Sequence, residues 1–207
     1  MVTGTTPNSG PQGRSVERRR REILEATCGI LQEKGFAAIR ISDVAQRLGI
    51  STGLVHYHFD TKEELLAAAF RHAAQAELDA LRLVAERGTG PRERLDAVVS
   101  EFFPRDDDPS WRLWIEGWGE ALRSEAFQAT SRELDKAWIG VLSDTIADGV
   151  RSGEFECTSP RDAAWRLACL IEGLAIQRVA HGGTVSDREM RRLVGVALAA
   201  EVSGGLR

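Results

Sequence analysis

The stretch that most restricts the fold runs from Ile41 to Lys62, ISDVAQRLGISTGLVHYHFDTK. It reads as two short helices joined by a tight turn. Ser42 is placed to cap the first, over Asp43 to Leu48, because its hydroxyl can accept from a free N–H of the first turn. Val44, Ala45 and Leu48 share one face of that helix. Gly49 stands where the chain must leave it, the position that tolerates positive φ. Ile50 plugs the angle between the helices, and Ser51 caps the second, Thr52 to about Phe59. Val55 and Phe59, one turn apart, face the core. A glycine between apolar neighbours, followed two residues on by a capping serine, is the helix-turn-helix pattern.

The outer face of the second helix carries Thr52, Gly53, His56 and Tyr57, with His58 to one side, and no Lys, Glu or Asp. A solvated helix would carry charge. Short or planar hydrogen-bonding groups suit a face that enters a DNA groove and meets base edges, thymine methyls and phosphates. Gly53 costs helix stability, which points to close approach of backbone to something. The plain alternative, a surface helix of a small bundle, leaves cap, turn, glycine and polar aromatics without a common reason.

GFAAIRISDVAQRLGISTGLVHYHFDTKEELL, Gly35 to Leu66, resembles the DNA-binding segment of the tetracycline-repressor (TetR) family, and the match covers about residues 16–70. Two positions depart from it: Ile39 where many members have Thr, and His56 where many have Tyr. The resemblance implies phosphate binding by Lys62. The DNA-facing candidates are then Arg18, Arg40, Ser42, Ser51, Thr52, Gly53, His56, Tyr57, His58 and Lys62.

The net charge of −4 by itself argues against nucleic acid, but the average conceals an asymmetry. Residues 14–62 hold nine Lys/Arg against six acids, a net +3, which leaves −7 for the remainder. A basic module joined to an acidic one suits a protein that touches DNA at one end. Three scattered cysteines, Cys28, Cys157 and Cys169, lack CxxC spacing and point to a reducing cytoplasm, without disulfides or a zinc site. No apolar run reaches membrane-spanning length, so no membrane partner is expected. No catalytic set, metal set or cofactor motif stands out.

Residues 1–13, mostly Gly, Pro, Ser, Thr and Asn, read as a disordered tail. A first helix follows from Arg14 to about Lys34, with Ile23, Leu24, Thr27, Ile30 and Leu31 on its inner face and the basic run Arg18–Arg21 at its start. That run reads equally as a solvated end or as phosphate contacts. Thr61 and Glu64 form a capping box for a long helix reaching about Arg87. Five more helices are expected, at about Pro91–Phe103, Pro109–Arg123, Glu125–Ser152, Pro160–His181 and Ser186–Val202, with a break over Pro104 to Asp108 and no sheet. The expected class is all-α: a helix-turn-helix domain over 14–61 and a ligand-binding and dimerisation domain over 62–207, about nine helices in all.

Trp111, Trp114, Ile115, Trp118 and Leu122 form a stripe at three- and four-residue spacing. Any one of these tryptophans reads as core, but three on one face are hard to pack against aliphatic neighbours. Glu116 and Glu120 flank the stripe, and Trp138, Trp165 and Glu172 follow on later helices. An aromatic wall with carboxylates suits a cationic or flat small molecule. Ligand-binding candidates are Trp111, Trp114, Glu116, Trp118, Trp138 and Glu172.

The last two helices are rich in small and apolar residues, and a four-helix dimer bundle through Leu167, Ile171, Leu174, Met190, Val194 and Ala197 would use them. WRLWIEGWGEAL followed by AAWRLACLIEGLAIQ is similar to the C-terminal domain of the BetI branch of the family, which implies the same dimer. The expectation is a ligand-responsive repressor that binds a double-stranded palindromic operator as a homodimer. Its rivals are an all-α enzyme or carrier, which lacks a visible Ser/His/Asp or Cys/His set, and an architectural DNA-binding protein, which would lack a pocket.

Overall fold

The computed structural model describes residues 11–105 and 109–204. Among them are nine α-helices: α1 Pro11–Ala38, α2 Ile41–Leu48, α3 Thr52–His58, α4 Lys62–Arg87, α5 Pro91–Glu101, α6 Pro109–Ala121, α7 Glu125–Arg151, α8 Pro160–Val179 and α9 Asp187–Glu201. The all-α class is as expected. The expectation of no sheet is corrected by one detail: β1, Phe155–Glu156, pairs antiparallel with β2, Ser203–Gly204. No helix of the described residues is long and apolar enough to cross a membrane.

The chain divides into two compact units, Met1–His72 and Ala73–Arg207. The division falls inside α4, after His72, whereas the sequence pattern puts it at the start of that helix. A single continuous helix is therefore part of both units.

In the first unit, α1 buries Ile23, Leu24, Ile30 and Leu31, as their helical spacing requires. Thr27 lies fully buried among them, and its hydroxyl donates to the Ile23 carbonyl at 2.7 Å, so it leaves no unpaired polar group. Gly35 breaks the helical run with φ 75°, and Phe36 then packs edge-on against Phe70 of α4 at 6.4 Å. Residues 11–13, expected in the tail, belong to α1; residues 1–10 lie outside the described residues.

The second unit is one apolar core of α5, α7, α8 and α9 with the later part of α4. Leu81, Leu95, Val98, Leu142, Ile146, Leu167, Ile171, Met190 and Val194 are its centre. Each such side chain contributes about 1.5–3 kcal/mol of burial. Hydroxyl caps start three of its helices: Ser124 accepts from Phe127 N–H, Ser159 from Asp162 N–H and Ser186 from Glu189 N–H. The break expected over 104–108 lies partly outside the described residues.

The dimer assignment needs correcting. Leu167, Ile171, Met190 and Val194 are fully buried within the protomer, and Leu174 and Ala197 pack against that same core. These four serve the protomer core, and none of them is free to meet a partner. What α8 and α9 leave exposed is a different set: Trp165, Cys169 and Gly173 on α8 and Val196 on α9.

Candidate functional site

The helix-turn-helix forms from local signals. Gly49 caps α2 in the left-handed region at φ 63°, ψ 33°, and its N–H reaches the carbonyls of Ala45 and Gln46. Ser51 caps α3, accepting from Leu54 N–H at 3.2 Å. Ser42, expected to cap α2, instead lies inside that helix. The cap position falls to Arg40, whose backbone N–H donates to Asp43 Oδ2 at 2.9 Å. That bond and an ion pair with Lys34 at 3.2 Å hold the Asp43 carboxyl below the usual range. The helix begins one residue before Ser42, so the serine hydroxyl lies past the cap position.

Val55 and Phe59 turn inward, and Arg20 of α1 sits 4.6 Å over the Phe59 ring. The opposite side of α3 is open. Thr52, Gly53 and His56 are exposed, and Tyr57 is 73% exposed, its ring edge-on to His58 at 5.2 Å. A Cβ on Gly53 would meet nothing nearer than Ser51 Oγ at 3.8 Å, so nothing inside the protein requires glycine there. Ser42, Ser51 and Arg40 are likewise exposed, and Lys62 opens α4 half-buried. At the start of α1, Arg18 and Arg19 both lean on Glu22, at 3.7 and 2.5 Å, which neutralises part of the basic run.

In the second unit, α4, α6, α7 and α8 surround a cavity of about 210 Å³. Trp111, Trp114, Trp118, Trp138 and Glu172 line it, as expected. The indoles form a box of edge-on and tilted pairs: Trp111–Trp118 at 6.1 Å, Trp114–Trp118 at 6.2 Å and Trp114–Trp138 at 6.1 Å, with Phe102 5.2 Å behind Trp138. Three tryptophans on one helix face do not fill the space between them, and the void is what remains. Glu116 is not part of the wall. It pairs with Arg112 at 2.9 Å on the α6 surface, and Glu120 pairs with Arg123 at 3.2 Å. Trp165 stays away too, 41% exposed on α8.

The cavity's acids are largely ones the sequence pattern did not single out. Glu77 of α4 accepts from Trp114 Nε1 at 3.0 Å and from the Ser110 hydroxyl at 2.5 Å. Asp135 of α7 is pushed up by burial, while hydrogen bonds from Ser131 and Trp118 pull it back. Glu172 of α8 is pushed up to about 7, first by burial and then by the charge of Asp135. Glu101 also lines the wall but is paired with Arg105 at 2.6 Å. Asp135 had a local signal, since it precedes Trp138 by three residues and so shares its helix face. Glu77 had none, because its partner Trp114 lies 37 residues on.

The family model for bacterial regulatory proteins of the tetR family matches residues 23–69, and the one for the C-terminal domain of BetI-type transcriptional repressors matches residues 91–203. The HTH-type transcriptional regulator BetI of Burkholderia cenocepacia is 31% identical over 183 residues, covering 86% of this chain and 90% of the relative. Among solved structures, a transcriptional regulator from Saccharomonospora viridis in complex with choline is similar with a TM-score of 0.79 and 26% identity, over 90% of this chain and 98% of that one. A TetR transcription regulator from Haloarcula marismortui is similar with a TM-score of 0.81 and 26% identity, over 90% and 100%.

Proposed function

Because this chain belongs to the TetR family of bacterial transcriptional regulators, we propose that a quaternary ammonium cation entering the indole box makes it release DNA. The family consists of ligand-responsive DNA-binding repressors, not of enzymes. The observation that carries the cation reading is the cavity itself: four indoles around about 210 Å³, with Glu77, Asp135 and Glu172 on its wall and no ion pair to any of the three among the described residues. Indole faces attract cations by about 0.5–2 kcal/mol each, and carboxylates in a partly desolvated site add to that. The choline held by the Saccharomonospora viridis regulator supports this ligand class.

The DNA contact falls to the open side of α3, with Thr52, Gly53, His56 and Tyr57 toward the major groove and Arg40, Ser42, Ser51 and Lys62 toward phosphates. The assembly is a homodimer through the exposed sides of α8 and α9, with Trp165, Gly173 and Val196 at the seam. The signal travels along α4, since Glu77 lies in the cavity wall and Lys62 lies at the start of the same helix. The ligand must prefer one of two shapes, as equal affinity for both would shift nothing.

The experiment is a thermal-shift and calorimetric comparison of choline and tetramethylammonium with the neutral isostere 3,3-dimethylbutan-1-ol. The cations should bind and stabilise the protein while the alcohol binds at least about tenfold more weakly. Equal binding of alcohol and cation would remove the charge from the explanation. Trp118→Ala should weaken cation binding by about tenfold or more without loss of helicity.

A further inference from the structure

Three acids without an ion pair among the described residues line the same cavity. Glu77, on α4, is engaged by the Trp114 indole and the Ser110 hydroxyl. Asp135 on α7 and Glu172 on α8 line the same space, and the charge of Asp135 acts on Glu172. The one cation on the wall among the described residues, Arg105, is committed to Glu101. Three carboxylates without a counter-ion are therefore gathered around one partly buried space, and two of them repel each other. We propose that Asp135 and Glu172 form a second subsite beside the indole faces that takes a second cationic centre, so that the effector is a two-centre cation: a quaternary ammonium at one end and a protonated amine at the other.

This rests on the reading of the cavity as a cation site and goes one step further. A quaternary head satisfies the indole faces and feels the carboxylate charge, but it has no N–H to donate and so adds no hydrogen bond to either carboxyl. The pair's present remedy is the one open to crowded carboxyls, in which one member is driven toward its protonated form. A primary ammonium has three donors and a full charge, and it can bridge both carboxylates at once. A hydroxyl brings one donor and no charge. A carboxylate end would add a third negative charge to the pair. The positions suit a short spanning ligand: Asp135 lies one turn from Trp138 on α7 and accepts from Trp118, so the acid pair adjoins the box instead of lying across the protein from it.

The test is isothermal calorimetry on the full chain at neutral pH with (3-aminopropyl)trimethylammonium and (3-hydroxypropyl)trimethylammonium, which share head and spacer and differ in the terminal group. The amine should bind at least about tenfold more tightly. Glu172→Gln and Asp135→Asn, each isosteric and checked for helicity, should shrink that ratio to about threefold or less. Equal or weaker binding of the amine by the unmodified protein overturns the second subsite, as does a ratio that survives both substitutions. Binding of neither compound would overturn the cation reading of the cavity as well, so the two failures are distinguishable.

Discussion

Two residues carry predictions with opposed signs. Gly53 is exposed inside a helix, and no neighbour is close enough to forbid a side chain. Gly53→Ala should therefore stabilise the first unit by about 0.5–1 kcal/mol, since alanine is the better helix former. The same change should weaken DNA binding, because the methyl stands where the backbone approaches the groove. Thermal unfolding and a gel-shift titration on one variant separate the effects; a gain in both would remove α3 from the interface. Glu172 gives the second case. Its carboxyl rises from the ordinary 4.5 to about 7 through burial and then Asp135, so the folded chain holds a proton there that the unfolded chain gives up. That contribution is complete below pH 4.5 and is lost as the pH rises toward about 7. The melting temperature of the ligand-free protein should fall across that window, and Glu172→Gln should flatten the fall. Cation binding should strengthen as the pH rises through the same window.

At the scale of helices, neighbouring valines on α9 distinguish core from seam. Val194 is 1% exposed and belongs to the protomer core, whereas Val196 is 63% exposed. Val194→Glu should cost several kcal/mol and unfold the second unit, since it buries a charge without a partner. Val196→Glu should keep full helicity and give a monomer by light scattering; a dimer that survives it would place the seam elsewhere. Four of the six positions read from sequence as interface, Leu167, Ile171, Met190 and Val194, lie in the protomer core for a general reason. Helical spacing tells which residues avoid water but not whether the neighbour is the same chain or a copy. Helix existence was easier to read, because Gly49, Ser51, Ser124, Ser159 and Ser186 act within three residues of themselves. The Trp stripe was legible for the same reason. Ser42 was misread because the helix starts one residue before it, with Arg40 at the cap, its N–H bonded to Asp43. Glu77 was invisible because its bond to Trp114 depends on how α4 and α6 pack.

At the scale of the whole chain, a basic helix-turn-helix unit and an acidic unit with an indole-lined cavity share α4, whose residues 62 and 77 lie in the two candidate sites. The family membership makes the protein a ligand-responsive regulator, and the indoles and carboxylates of the cavity carry the chemistry proposed for its signal. The measurement that bears on this coupling most directly is DNA affinity with and without a quaternary ammonium. A duplex selected by the protein from a random library would be titrated by fluorescence anisotropy in choline, in tetramethylammonium and in 3,3-dimethylbutan-1-ol, at matched ionic strength. A cation that prefers the DNA-free shape by about 1–3 kcal/mol should weaken DNA binding about 5–150-fold at saturation, and Trp118→Ala should abolish the response at the same concentration. DNA affinity that stays the same while calorimetry shows the cavity saturated with cation would contradict the coupling.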